Sequence, residues 1–522
     1  MALPLPHGFE MRRRTLIAAV AALAASAAQG QVAQPVETPP LPAGADVFAL
    51  DLAQTRTQSA ARNFEVVGHS YLKVPQRTAF AKAEARTGPE LGSGTSSVAV
   101  FDGVAYVAGY SYPPTLFGVL MVDIRDPANM KPLGFVPCNA GTRCPYLRVD
   151  RRRKLLIYGN DPDRTNPAAA PGGKAQAGWA FVDVSNPRRP RRVGFVAVPD
   201  GATTHGMEID GRYLYGCGGV RAGMEREAMQ IIDYADPRRP REVATWHVPG
   251  MLAGETPGPL DRPGPDGKPQ ILQCHEIVYD HDRLYTAWRD AGVKIFDVKD
   301  RTRPRLIQTY DYVPPFAGGF LGATHTALPV ITRPGTPPDL LVLVDEIFDC
   351  PSGFGRILDV SDMKNADVTA GRREASLQIV STIRAPHVQD NYERKADKFA
   401  CPRPISGPFG GRSSSIHLPL LDGRTSSLLY VTWYDEGLRA FDISNPFVPT
   451  EIGYYLSPPY TAPGGYEIAP GIKADERTGR QTREVAQDPD TGLIYVTDGN
   501  GGGLTVLRYT GSLPPPPIPA AR

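Results

Sequence analysis

Gly118-Val-Leu-Met-Val-Asp123-Ile-Arg-Asp-Pro127 sets the pattern by which the rest of this 522-residue chain can be read. A short apolar run ends in Asp, and an Asp-Pro pair then turns the chain. The order returns at Gly178-Trp-Ala-Phe-Val-Asp183-Val-Ser-Asn-Pro187, at Met229-Gln-Ile-Ile-Asp233-Tyr-Ala-Asp-Pro237 and at Gly292-Val-Lys-Ile-Phe-Asp297-Val-Lys-Asp300. Arg356-Ile-Leu-Asp359-Val-Ser-Asp362 and Gly437-Leu-Arg-Ala-Phe-Asp442-Ile-Ser-Asn-Pro446 continue it. Gly503-Leu-Thr-Val-Leu-Arg-Tyr509 closes the series without the Asp, which makes seven copies. Asp123, Asp183, Asp233, Asp297, Asp359 and Asp442 recur in step with the turn, so their expected role is to bond turn backbone.

Two short strands around a tight polar turn precede each copy, as in Met207-Glu-Ile-Asp210-Gly-Arg-Tyr-Leu-Tyr215, and one strand follows. Four strands per repeat predict an all-β fold, a seven-bladed β-propeller. The last copy has no following strand. Phe64-Glu-Val-Val-Gly68 resembles Arg191-Arg-Val-Gly194 but has no strands before it, so it is expected to close the ring against the last blade. The expected organisation is an export signal over 1–30, a flexible linker over 31–62, the propeller over 63–512 and a Pro-rich tail over 513–522.

Composition agrees. With 53 Gly and 53 Pro, the chain is too rich in turn residues for a helical protein. Lys and Arg total 57 against 55 Asp and Glu; removing residues 1–30 takes three Arg and one Glu, leaving 54 of each. A neutral chain is a poor candidate for nucleic-acid binding.

Arg12-Arg13-Arg14, the apolar run Leu16–Leu23 and small residues up to Gly30 form an export signal, by the general or the twin-arginine route. The expected location is periplasmic or secreted, with no transmembrane anchor once the signal is removed. Cys138, Cys144, Cys217, Cys274, Cys350 and Cys401 make an even set, which in an exported protein suggests disulfides. Proximity suggests the pairs 138–144, 217–274 and 350–401.

The repeats resemble the LVIVD repeats of bacterial extracytoplasmic β-propellers, over about residues 64–510. That resemblance implies the fold and says little about activity.

Alignment of each first strand on its turn Asp exposes a second regularity. His205, His275 and His417 each stand five residues before Asp210, Asp280 and Asp422, and His325 opens the fifth copy's first strand. The same offset gives Arg483 in the last copy. First strands of a propeller are innermost, so four imidazoles would converge on the axis. That is a donor set for a transition metal, namely Fe, Cu or Zn. The arrangement is similar to that of carotenoid oxygenases and of selenium-binding proteins with methanethiol oxidase activity, although none of their local motifs is present. Glu208 and Glu276 lie close enough in sequence to orient the imidazoles, if they face them. His69, His247, His281 and His387 share no position and read as structural.

The long insertions and the cysteines fall on the face where first strands begin. Second strands end near it with Asp290, Asp345-Glu346, Asp435-Glu436 and Asp498, for which turn chemistry is the simpler reading. The leading functional expectation is a metal-dependent oxidoreductase acting on a small molecule, with Arg483 holding an anionic group. Alternatives are a binding module that engages another extracytoplasmic protein and a Zn²⁺ hydrolase.

Overall fold

A computed structural model describes residues 50–72, 94–111, 118–162, 175–199, 202–219, 226–255, 271–310, 324–332, 338–347, 353–361, 378–386, 416–434, 436–458, 480–499 and 502–516. It also describes residues 38–39 and 224 and short pieces within 461–478. The export segment, most of the long insertions, Cys350, Cys401 and His387 lie outside these residues.

The chain folds as antiparallel four-stranded units of the β-propeller type. In one of them Thr204–Ile209, Tyr213–Gly218, Ala228–Asp233 and Arg241–Trp246 pair in sequence order. Alternating apolar residues give each strand two faces, and both are buried because sheets stack on sheets. Tight turns join first to second strands: Asp102 and Gly103 both adopt positive φ (52° and 70°), as a two-residue hairpin requires.

The repeat Asp behaves uniformly. The side chains of Asp123, Asp183, Asp233, Asp297, Asp359 and Asp442 each accept the N–H two residues on, at 2.8–3.2 Å. Each third strand is thereby stopped at the same place.

Successive sheets touch at both radii. First strands lie side by side: Gly94–Phe101 beside Leu147–Asp150, Thr204–Ile209 beside Leu272–Asp280, and Thr482–Gln487 beside Gly94–Phe101. At the outer edge, Gly134 and Gly194 in fourth strands press on the Pro187 and Pro237 carbonyls of the next repeat turn. A Cβ there would come within 2.1 and 1.9 Å of those oxygens. Between these contacts the core is apolar; Tyr215, Met229 and Ile231 of one sheet interlock with Ile277, Trp288 and Phe296 of the next. One main-chain pair, Arg289 with Thr324, fuses two sheets into an eight-stranded one.

The N-terminal strand goes where its sequence pointed. Phe64–Ser70 pairs antiparallel with Gly503–Tyr509, and Gly68 presses on the Pro127 carbonyl as Gly134 and Gly194 press on theirs. Part of the expected linker is ordered structure instead. Leu52–Gln58 is a helix with a capping box between Asp51 and Gln54, and Ala60–Arg62 pairs with the outer edge of Thr450–Leu456. A capped turn and a three-residue edge strand carry no repeat signal, so the repeat pattern does not mark them.

Among the described residues two disulfides are present. Cys138–Cys144 closes a short loop, and Cys217–Cys274 joins neighbouring sheets. The suggested Cys350–Cys401 pair lies outside the described residues. Among the described residues no helix is long and apolar enough to cross a membrane.

Candidate metal centre

Five first strands break their ladders at the histidine position. Pairing jumps from Thr204 to Met207, from Leu272 to Glu276, from Thr324 to Thr326, from Ile416 to Pro419 and from Thr482 to Val485. In every case the first strand spends at least one more residue than its partner, which is a β-bulge. A bulge re-aims side chains that strict alternation would send to opposite faces. His205, His275, His325, His417 and Arg483 all fall inside these irregular stretches.

The bulges bring three of the imidazoles into a row. The His205 and His275 ring centroids are 4.4 Å apart, and those of His275 and His325 are 4.2 Å apart. His275 and His325 are buried; His205 is partly buried and meets Tyr146 edge-on at 5.0 Å. The Thr326 hydroxyl bonds the His325 Nδ1 at 2.7 Å and orients that ring. His417 belongs to the strand Ile416–Leu421; its side chain lies outside the described residues.

The acid that joins the histidines comes from a second strand. Glu346 follows Leu340–Asp345, and one donor atom each from His275, His325 and Glu346 lie within 4.8 Å of one another. Two flanking sheets hold this carboxylate. Arg289 Nη1 is 2.7 Å from Oε2, and the Tyr434 hydroxyl donates to Oε1. Next to it, Asp345 forms a fully buried ion pair with Arg356, which anchors the strand end. The turn reading of Asp345-Glu346 therefore missed Glu346. Nothing in the repeat marks it, since the buried cation Arg356 beside it has counterparts at the same place in Lys294 and Arg439.

One guanidinium reaches both Glu208 and Glu276. They are engaged by Arg148, whose Nε is 3.3 Å from Glu208 and whose Nη2 is 3.4 Å from Glu276. Burial raises the pKa of Glu276 well above the carboxylate range, against the pull of Arg148, and the nearby Glu484 adds to the rise. Burial likewise pushes Glu484 up to about 7. Tyr146 is also raised, first by burial and then by the surrounding carboxylates Glu276, Glu484 and Glu346. Beside the imidazoles and Glu346 thus lie carboxyls whose ionisation burial disfavours, with Arg148 and, at Glu484, also Arg483 as the opposing cations.

Arg483 is buried, with its guanidinium carbon 6.0 Å from the Tyr434 ring centre. Three further described histidines have partners of their own. His69 bonds Thr505 between the terminal strands, His247 is 2.7 Å from Glu255, and His281 is 2.8 Å from Asp280.

Among known families, the LVIVD repeat matches residues 428–457. No curated protein sequence matches the chain. Similar solved structures include the periplasmic gluconolactonase of Pseudomonas aeruginosa, with TM-score 0.45 and 14% identity over 78% of this chain and 99% of that one. The β-propeller domain of Cps50 (Swd1) from Myceliophteria thermophila scores 0.46 with 12% identity, over 80% and 96% of the two chains. A putative 6-phosphogluconolactonase from Bacteroides uniformis scores 0.43 with 11% identity, over 72% and 88%. Likeness at this level carries no argument about chemistry.

Proposed function

We propose that the chain is an exported seven-bladed β-propeller, closed by Phe64–Ser70, that binds a transition metal on its axis and serves as a metal-dependent oxidoreductase for a small molecule. The observation that carries this reading is the convergence of His275, His325 and Glu346 from adjacent sheets, with His205 against His275. Imidazole with one carboxylate suits Fe, Cu or Zn better than Mg or Ca, which prefer all-oxygen cages. His417 is assigned to the same ring by its equivalent bulge. The metal, when bound, would supply Lewis acidity or electron transfer. The chain's own residues set the frame: Arg289 pairs with Glu346, the Tyr434 hydroxyl donates to it, and Arg483 would offer a cation to an anionic group.

Metal analysis of protein purified from the periplasm without stripping agents is the test. Roughly one equivalent of Fe, Cu or Zn per chain, lost in His275→Ala with the fold intact, is the expected result. A folded wild-type protein without metal would overturn the reading and return the chain to a binding module.

A further inference from the structure

The turn that leads from third to fourth strand is the same structure in five places. Asp126, Asn186, Asp236, Asp300 and Asn445 each cap it by accepting the N–H two residues on, at 2.9–3.2 Å. Each carbonyl also accepts the N–H three residues on, at 2.9–3.1 Å. Seven residues separate the strands every time, from Ile124–Met130 to Ile443–Pro449. Five identical turns at equivalent places in a ring of sheets present their tips at one level. That level is the end with the short hairpins such as Asp210-Gly211, opposite to the histidines.

What occupies the tips is not uniform. Arg188-Arg189, Arg238-Arg239 and Thr302-Arg303 take the two tip positions in three consecutive sheets. Phe447-Val448 takes them in a further sheet, and Ala128-Asn129 in another. All five of these arginines are exposed. Their neighbours at the start of the fourth strand are neutralised by the repeat Asp: Arg191 by Asp183, Arg241 by Asp233 and Arg305 by Asp297. No acid within 4.0 Å neutralises the five tip arginines among the described residues. Arg152, in the exposed run Arg151-Arg152 of the hairpin turn on the same end, adds a further guanidinium. Phe447 and Val448 are 43% and 57% exposed, where the equivalent residues elsewhere are polar or Ala. The five tip arginines thus lie on one end without an ion pair closer than 4.0 Å, although the exposed cap carboxylates Asp236 and Asp300 share their turns and Arg188 and Arg303 act on Asp123 and Asp300, and two apolar side chains take the equivalent tip positions of another sheet.

We infer that this end docks on an anionic membrane surface, with the tip arginines on lipid phosphates and Phe447 and Val448 at the bilayer interface. Coplanar tips spread over separate sheets fit a flat array of charges. Spread over three sheets, they suit an extended anionic surface better than a single small anion. Arginine forks recognise phosphate in pairs of hydrogen bonds. Cationic side chains with a few apolar ones at the same depth are the composition of interfacial binding. Pro187, Pro190, Pro237 and Pro240 flank the arginines and stiffen the turns, so little order is lost on docking. The orientation leaves the histidine face turned away from the membrane. The inference does not depend on the metal reading.

The test is co-sedimentation of the full chain with phosphatidylcholine vesicles, with and without phosphatidylglycerol. Residues 16–23 are themselves apolar, so the variants decide. The expected result is binding to the anionic vesicles that weakens with salt. In R188E/R189E/R238E/R239E, binding should fall by at least on the order of a hundredfold while the melting temperature holds. In F447S/V448S it should fall severalfold with an unchanged salt slope. Equal binding by the charge-reversed variant would overturn the inference. So would wild-type binding to soluble dextran sulfate with no vesicle binding, which would assign this end to a soluble polyanion.

Discussion

The Glu346 carboxylate lies 4.0 Å from Nε2 of His275, across the seam between two sheets. Neither residue is placed there by its own sheet alone. His275 needs the bulge in Leu272–Asp280, and Glu346 needs Arg289 and Tyr434 reaching in from either side.

Removing the hydroxyl that bonds Glu346 should therefore weaken the proposed metal centre. Tyr434→Phe is expected to weaken Co²⁺ binding by about 10–100-fold and to shift the visible spectrum of the bound ion. Glu346→Gln should be at least as severe. Unchanged affinity and spectrum in both variants would place Glu346 outside the ligand set.

Gly206 is the narrowest point between the first strands that carry His205 and His275. A Cβ there would come 2.2 Å from the His275 carbonyl and 2.5 Å from Glu276 Oε2. Gly206→Ala must push two inner strands apart, at a cost of about 1–3 kcal/mol. Thermal melts would show it, and metal content should drop alongside.

Two buried groups set opposite pH limits. Burial lowers the pKa of His69 from 6.5 to about 4. The folded value lies below the unfolded one, so folding loses stability as pH falls from 6.5 towards 4. The full shift would be worth about 3 kcal/mol. Because the residue as a whole is only half-buried, although its Nε2 is sealed, about 1–3 kcal/mol is the expected loss. His69→Asn should flatten that part of the denaturation profile below pH 6.

Glu484 acts in the other direction. Its folded pKa is raised from 4.5 to about 7 by burial, so stability is lost as pH rises from 4.5 through 7. Glu484→Gln should relieve up to about 3 kcal/mol at pH 8, less the attraction to Arg148 that it gives up. Urea midpoints at pH 5 and pH 8 should differ more in the wild type than in the variant.

The Cys217–Cys274 bond closes a loop with a sequence separation of 57. Replacing both cysteines with Ser should cost about 4 kcal/mol by the loop-entropy argument. The loss of stability should come with weaker metal binding, because Cys274 precedes His275. A purely global effect, with normal metal content in the folded fraction, would separate the bond from the site.

The repeat made most of the fold legible. A turn Asp that stops six of the third strands, and a Gly that lets the strands of Gly68, Gly134 and Gly194 lie on a neighbouring Pro carbonyl, are local requirements, so they leave a local trace. Gly68 showed where the N-terminal strand belongs for the same reason. The histidine offset was also legible, since the bulge that holds each imidazole is part of the repeat. Glu346 and Arg148 left no such trace. Each occurs once, and each matters through partners far away in sequence.

The sequence by itself determined the strands, the turns, their order and the three histidines that the bulges align, because hydrogen bonding and close backbone approach act within a repeat or between successive ones. Only the tertiary structure decided which acids meet those histidines and which are tied up by Arg148. It alone also gathered the unpaired arginines of three separate turns onto one end of a chain whose net charge is near zero. Charges act through space, and the distances between sheets are set by how the sheets stack, which no single repeat records.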